Sequence, residues 1–258
     1  MKVTILGCGA AGGVPSISRG WGVCDPANPR NRRRRPAILV EEGGTRILVD
    51  TPPDLREQLL DADVRHLDAV LFTHDHADHL HGIDDLREVN RAMKAPLAIH
   101  AAPEALDSIR VRFPYVLGAV GEGQSIYKPM LLPHALHGPF QVGAIKVVPF
   151  DQDHGYGRTI GYRFGPVAYS TDLVDLPEAS FAALAGVRLW IVGCLTFDPH
   201  PTHAHFEQVL EWIDRVRPER ALLTHMTPGM DYETLKARCP AWIEPAFDGL
   251  VIEQPADP

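Results

Sequence analysis

V-L-F-T-H-D-H-A-D-H-L-H-G, residues Val70–Gly82, sets His74, His76, Asp78 and His79 within six residues. Three imidazoles and a carboxylate at that density suit ligation better than packing. Ala69–Phe72 is an apolar, partly β-branched run and reads as a buried strand that carries the cluster to a sheet edge. Beyond it, apolar residues recur at Leu80, Ile83, Leu86 and Val89, and the spacing predicts a helix over Leu80–Met93 with Asp78 and His79 near its start. A strand-to-turn-to-helix passage can aim His74 and His76 at one side of a cavity and Asp78 and His79 at the other, so two adjacent metal sites are expected. Imidazole and carboxylate without a thiolate suit zinc, manganese or iron.

Similar settings recur along the chain. Lys2–Leu6 alternates as a strand and breaks at the glycine-rich Gly7–Gly13, either a tight turn or a close backbone approach to a ligand. Ala37–Glu41 and Arg46–Asp50 flank Gly43-Gly44 as a hairpin. Asp50 ends the second strand, where it can orient a ligand imidazole or cap the helix expected over Asp54–Leu60. Pro96–His100 reads as a strand and Pro103–Arg112 as a helix. Phe113–Pro139 lacks a period and reads as a loop-rich insertion over or beside the site, with His134 and His137 as surface or rim residues. Gln141–Phe150 is a strand leading to His154, and the hairpin Arg158–Phe164 with Pro166–Ser170 delivers Asp172. A helix including Phe181–Leu184 and a strand at Arg188–Val192 precede C-L-T-F-D-P-H-P-T-H-A-H, which sets His200, His203 and His205 before a helix over Phe206–Val216. Arg220–Leu223, the last clear buried strand, ends in Thr224-His225.

The chain has 258 residues, 45% of them hydrophobic, and no Gly-, Ser- or Pro-rich linker divides it, so one domain over residues 1–258 is expected. A formal net charge of -8 argues against broad nucleic-acid binding. Within it, Asn28–Pro36 carries five arginines and reads as an exposed basic loop, one or two of whose guanidiniums could reach a phosphate. Cys8, Cys24, Cys194 and Cys239 are dispersed, with no C-x-x-C pair, which fits a reducing compartment. No signal-peptide pattern or membrane-length segment is present, and a cytoplasmic protein is expected.

The T-H-x-H-x-D-H motif at Thr73–His79, followed in order by His154, Asp172 and His225 at three further strand ends, resembles the metallo-β-lactamase superfamily. That resemblance implies an α/β fold, a four-layer αβ/βα sandwich with two mixed sheets. It implies two divalent metal ions (Zn2+, Mn2+ or Fe), one held by His74, His76 and His154, the other by Asp78, His79 and His225, with Asp172 bridging. Two such cations outweigh two aspartates and a bridging hydroxide, leaving a positive centre suited to an anionic ester. The run from Cys194 to His205 is similar to the phosphodiesterase branch that includes tRNase Z, which gives His203 the scissile phosphate and makes Asp78 and His203 the candidate catalytic residues. The G-C-G loop with G-V-P, N-R-R-R-R-P, D-T-P-P-D and P-T-H-A-H-F resemble the PhnP-type cyclic phosphodiesterases. These imply attack of a metal-bridging hydroxide on a small or cyclic phosphodiester such as a ribosyl cyclic phosphate, and a possible homodimer. Only Cys24 remains of the cysteine-rich loop of that family, so a structural zinc is not expected. A-A-G-G-V-P is shared with PqqB-type proteins, whose likeness implies an iron-dependent redox role as the alternative, and thioester or lactone hydrolysis is open on the same scaffold. The acidic balance disfavours a nucleic-acid substrate, and no membrane partner is expected.

Overall fold

The computed structural model describes residues 1–121 and 123–255. Its strands form two seven-stranded mixed sheets. The first holds β1 (Lys2–Gly7), β2 (Ala37–Glu42), β3 (Thr45–Val49), β4 (Ala69–Leu71), β5 (Leu97–Ala101) and β6 (Leu131–Ala135) in sequential order. The second runs, in the same sequential manner, through β7 (Phe140–Val142), β8 (Ile145–Asp153), β9 (Arg158–Phe164), β10 (Val167–Ser170), β11 (Leu189–Gly193), β12 (Arg220–Thr224) and β13 (Ile243–Pro245). The chain then returns to the first sheet, where β14 (Val251–Glu253) pairs antiparallel with β1. Each sheet begins antiparallel and becomes parallel, from β3 in the first and from β10 in the second. Connections therefore emerge from the carboxyl ends of several parallel strands, where open α/β sheets hold their ligands.

Alternation along the strands builds the layers. On β3, Ile47 and Val49 join the buried cluster between the sheets, which includes Ile145, Val147, Tyr162 and Phe164 from the second sheet. Leu48 points the other way, into a second cluster with α1 (Leu55–Asp61), α3 (Leu86–Met93) and α4 (Pro103–Arg112), through Leu55, Leu59, Leu86, Val89, Leu106 and Ile109. On the far side α5 (Glu178–Leu184) and α6 (Phe206–Val216) supply Leu184, Phe206, Val209 and Ile213. This is the four-layer sandwich expected from the sequence. The two sheets are tied together at the motif itself: the Tyr162 hydroxyl donates to the Phe72 carbonyl at 2.6 Å and the Ile160 N–H to the Thr73 carbonyl at 2.9 Å.

Several expectations are corrected. The helix read over Leu80–Met93 is broken: α2 (Ala77–Leu80) stops at His81-Gly82, and a 3-10 turn at Ile83–Asp85 precedes α3. The break follows from packing, since a Cβ on Gly82 would stand 2.0 Å from the Pro52 carbonyl oxygen. Asp78 and His79 lie near a helix start as expected, but the helix is the short α2. Gln141–Phe150 is not one strand but the hairpin β7–β8, turned at Gly143 with φ +49°. No described residue of Phe113–Pro139 lines the site cavity; the segment supplies the edge strand β6, on which His134 stacks against His100 with ring centroids 4.9 Å apart. Arg220–Leu223 is not the last buried strand, because α7 (Tyr232–Arg238), β13 and β14 follow.

The Arg-rich segment is only in part the exposed loop expected: Arg30 and Arg32 are exposed, and the other three arginines are not. Arg33 is fully buried and donates to the Met230 carbonyl at 2.7 Å and to Asn31 Oδ1 at 3.3 Å. Arg34 pairs with Asp61 and Asp248, and Arg35 with Asp54. Arg30 lies over the rings of Tyr232 and Phe247, and Arg32 over Trp21. None of the five lines the site cavity. All four cysteines are free. Among the described residues no helix is long and apolar enough to cross a membrane.

Candidate metal centre

Four strand ends converge on one cavity of about 890 Å³. The turn after β4 brings His74 and His76, α2 brings Asp78 and His79, the end of β8 brings His154, the end of β10 brings Asp172 and the end of β12 brings His225. Three overlapping groups result: His74, His76 and His154; Asp78, His79, Asp172 and His225; and His154, Asp172 and His203. In each group the potential donor atoms lie within 4.8 Å of one another. Asp50, Asp172 and His225 have φ of +68°, +52° and +57°. Short polar side chains tolerate this left-handed region better than most, and here it turns each residue out of its strand direction.

The imidazoles are fixed from behind. His79 Nδ1 lies 2.7 Å from Asp50 Oδ2, and both side chains are fully buried. His154 Nδ1 donates to the Thr202 carbonyl at 2.7 Å. His74 Nδ1 lies 3.0 Å from Thr73 Oγ1, which donates in turn to Asp50 Oδ2 at 2.8 Å. With these Nδ1 atoms engaged by acceptors, each ring keeps its Nε2 lone pair for the cavity side. His74 Nε2 and His79 Nε2 are buried without a hydrogen-bond partner, and His79 Nε2 instead faces Asp172 Oδ2 at 3.0 Å and Asp78 Oδ2 at 3.3 Å. His225 Nε2 faces the same two carboxylates at 3.3 and 3.4 Å.

Electrostatics give the same picture. Burial would push the Asp172 carboxyl up, but His225 and His79 hold it well below the usual carboxylate range. Burial would push His79 down, yet Asp172, Asp78 and Asp50 raise it well above the ordinary imidazole value. His74 goes the other way, lowered by its burial and by the neighbouring His79. Carboxylates that draw protons onto buried imidazoles form a pocket of negative charge, and orphaned nitrogens aimed at them complete a donor set that fits divalent cations. These are His/Asp clusters of the kind that make a dinuclear metal site.

His203 comes from a separate turn, before α6. Its Nε2 lies 2.9 Å from Asp172 Oδ1, its Nδ1 2.8 Å from Thr202 Oγ1, and its ring stacks on that of His225 at 5.1 Å. The side chain stays 17% exposed to the cavity. His200, 5.2 Å from His203 between ring centroids, also lines the cavity, as does the glycine-rich segment Ala10–Gly13. His205 does not. The sequence reading left Asp50 between two roles; its position is behind His79, and it does not accept a cap bond from α1. The supporting threonines were passed over, although a repeated signal exists: Thr73, Thr171 and Thr202 each precede a site residue and hydrogen-bond to it. Arg19, which lines the cavity, was passed over too.

A family model described as a β-lactamase superfamily domain matches residues 45–226. A crystal structure of a diphosphatase from the PhnP family superposes with a TM-score of 0.90 at 31% identity, covering 98% of this chain and 98% of that one. Zn(2+)-bound PqqB from Methylobacterium extorquens gives a TM-score of 0.76 at 21% identity, covering 98% of this chain and 100% of that one, and shares the fold. An octanoyltransferase of Porphyromonas gingivalis is 35% identical over 256 residues, 97% of this chain but 51% of that protein. The chain spans about half the length of the curated relatives it matches.

Proposed function

We propose that this chain, which belongs to the metallo-β-lactamase superfamily, is a dinuclear metal-dependent phosphodiesterase acting on a small or cyclic phosphodiester. His74, His76 and His154 would hold one ion and Asp78, His79 and His225 the other, with Asp172 between them. Two divalent ions so held supply Lewis acidity: they lower the pKa of shared water and neutralise phosphate oxygens. The chain's own residues do the rest. Asp50, Thr73 and the Thr202 carbonyl hold the ligand rings in one tautomer, and the cavity wall from Ala10 to Gly13 shapes the space over them. His203 is the group beside both clusters that neither ion requires. With Nδ1 on Thr202 Oγ1 and Nε2 on Asp172 Oδ1 at the edge of the cavity, it can carry a proton to the departing alkoxide or stand as a cation beside a phosphate oxygen.

The observation that carries this reading is His203 itself, held against Asp172 from outside the ligand set. Ester cleavage needs a proton for the leaving oxygen, and His203 stands beside both donor sets where it can supply one. The similarity to the PhnP-family diphosphatase supports a phosphoryl substrate. The similarity to the octanoyltransferase favours a second reading, acyl ester or thioester cleavage, although half of that protein's length lies outside the match.

One panel decides between them: metal content of the purified protein, then turnover of an aryl phosphodiester, a ribose cyclic phosphate, an octanoyl thioester and a lactone, with wild type and His203→Ala. Near two ions per chain, turnover confined to phosphodiesters and a roughly 10²–10⁴-fold loss of kcat in His203→Ala at unchanged metal content are expected. Thioester turnover without phosphodiester turnover would install the acyl reading. Iron with no ester hydrolysis would overturn both. An unchanged rate in His203→Ala would remove His203 from the chemistry.

A further inference from the structure

The three rings of the first donor group are not held alike. His74 and His154 each have Nδ1 engaged from behind, by Thr73 Oγ1 at 3.0 Å and by the Thr202 carbonyl at 2.7 Å. His76 is exposed, and its ring has no hydrogen-bond partner among the described residues; its ring contacts are with His74, at 4.5 Å between centroids, and His154, at 5.2 Å. The direction of His76 is therefore left to the backbone that carries it.

That backbone is pinned on both sides. On the far side the His76 carbonyl accepts the His79 N–H at 3.1 Å as α2 begins. On the near side neither His74 nor Asp75 makes a backbone-to-backbone hydrogen bond among the described residues. Arg112, the last residue of α4, takes that place: its Nη2 donates to the Asp75 carbonyl and, at 3.2 Å, to Asp75 Oδ2. The Asp75 carbonyl shares one planar peptide unit with the N–H and Cα of His76, so a donor fixed on that oxygen fixes the plane from which His76 projects. The guanidinium also donates to His81 Nε2 at 3.4 Å, but this contact lies beyond the ligands of α2, and His79 has its own anchor in Asp50.

We propose that Arg112 is a positioning residue for the ion held by His74, His76 and His154: through Asp75 it holds the peptide plane of His76, the ring of that group without a partner of its own. The inference rests on the donor grouping of the metal centre and not on the reaction catalysed there. Arg112 and Asp75 are both partly exposed, a setting in which an ion pair adds little to folding stability, so what the pair supplies is direction. The sign of the effect separates direction from charge. An arginine acting only through its charge would repel a dication, and its removal would tighten binding. Positioning requires the opposite.

Calorimetric titration of the chelator-stripped protein with zinc tests this in wild type, Arg112→Ala, Arg112→Lys, His76→Ala and the double variant of Arg112→Ala with His76→Ala. Wild type is expected to bind two ions per chain. Arg112→Ala is expected to bind one of them about 10-fold more weakly, the low end of the usual effect of removing a residue that orients a ligand. The other ion and the urea midpoint of the apo protein should stay as in wild type. Arg112→Lys, which can still donate to the Asp75 carbonyl, should recover part of the loss. In the His76→Ala background the same arginine substitution should change nothing further, because the plane it holds no longer carries a ligand. Wild-type or tighter binding of both ions in Arg112→Ala overturns the proposal, as does an undiminished loss in the His76→Ala background, or weaker binding of both ions with a lowered urea midpoint. Wild type that binds fewer than two ions brings down the dinuclear reading and this proposal with it; two ions in wild type with no response to Arg112 brings down the proposal alone.

Discussion

Replacing Asp50 by asparagine exchanges one carboxylate oxygen for an NH2 group and reaches both metal clusters. Asp50 is fully buried and accepts three hydrogen bonds: the Thr73 N–H on Oδ1 at 2.8 Å, and the Thr73 hydroxyl at 2.8 Å and His79 Nδ1 at 2.7 Å on Oδ2. The backbone N–H can only donate, so in Asp50→Asn the amide oxygen must take the Oδ1 place and the NH2 must face His79 and Thr73. His79 can then meet the NH2 only by accepting at Nδ1, which moves its proton to Nε2, the nitrogen turned to Asp78 and Asp172. The Thr73 hydroxyl accepts from the same NH2 and releases its own hydrogen toward His74 Nδ1, so His74 is pressed the same way. The backbone is no confounder, because asparagine tolerates the φ of +68° as aspartate does. Burial already pushes the Asp50 carboxyl up, against the pull of His79 and Thr73, so a neutral isostere is admissible there. The expected loss is about 10- to 100-fold in divalent-ion affinity, the usual effect of removing a carboxylate behind a ligand imidazole. Apo stability should fall by about 1.5–3 kcal/mol for the lost charge-assisted bond. Calorimetric titration of chelator-stripped protein with zinc or manganese measures the first, and long-range 1H–15N spectra of the imidazoles report the tautomers. Two ions bound by Asp50→Asn at wild-type affinity, with Nδ1 of His79 still protonated, would refute the reasoning.

Asp172→Asn keeps the shape at φ +52° but removes the charge facing His79, His203 and His225; at least one ion per chain and nearly all turnover should be lost, as elemental analysis and the phosphodiester assay would show. Arg33→Met leaves the Met230 carbonyl without its buried donor, while Asn31 Oδ1 keeps the Tyr232 N–H at 2.8 Å, and should cost about 1–3 kcal/mol, read as a lower urea midpoint with an unchanged m-value. Asp231 caps α7 through the Thr234 N–H at 3.0 Å and accepts from Asn31 at 2.8 Å; burial, the largest single influence, pushes its carboxyl up, but these bonds together outweigh it and lower the carboxyl to about 2. A lowered folded-state pKa gives stability that is present above the unfolded carboxylate value and lost as pH falls through the folded one. The urea stability gap between wild type and Asp231→Ala should therefore be about 1 kcal/mol at pH 7, allowing for partial exposure, and shrink between about pH 4 and pH 2. A gap that stays constant over that window would show that Asp231 contributes nothing through its charge.

The sequence by itself determined the elements and the order of the chemistry. Apolar periodicity is a local property, and it placed α4 at Pro103–Arg112 and α6 at Phe206–Val216 with the bounds observed. It also showed that His74, His154, Asp172 and His225 each follow a strand, and these strand ends meet once the two sheets pack. It failed where a distant contact overrides a local pattern: Gly82 ends a helix because Pro52 lies against it, and Arg33, Arg34 and Arg35 read as solvated although carboxylates and carbonyls from elsewhere in the chain bind them. Only the tertiary structure decided which nitrogen each imidazole presents. That choice rests on partners such as Asp50 for His79, 29 residues away, and the Thr202 carbonyl for His154, 48 residues away.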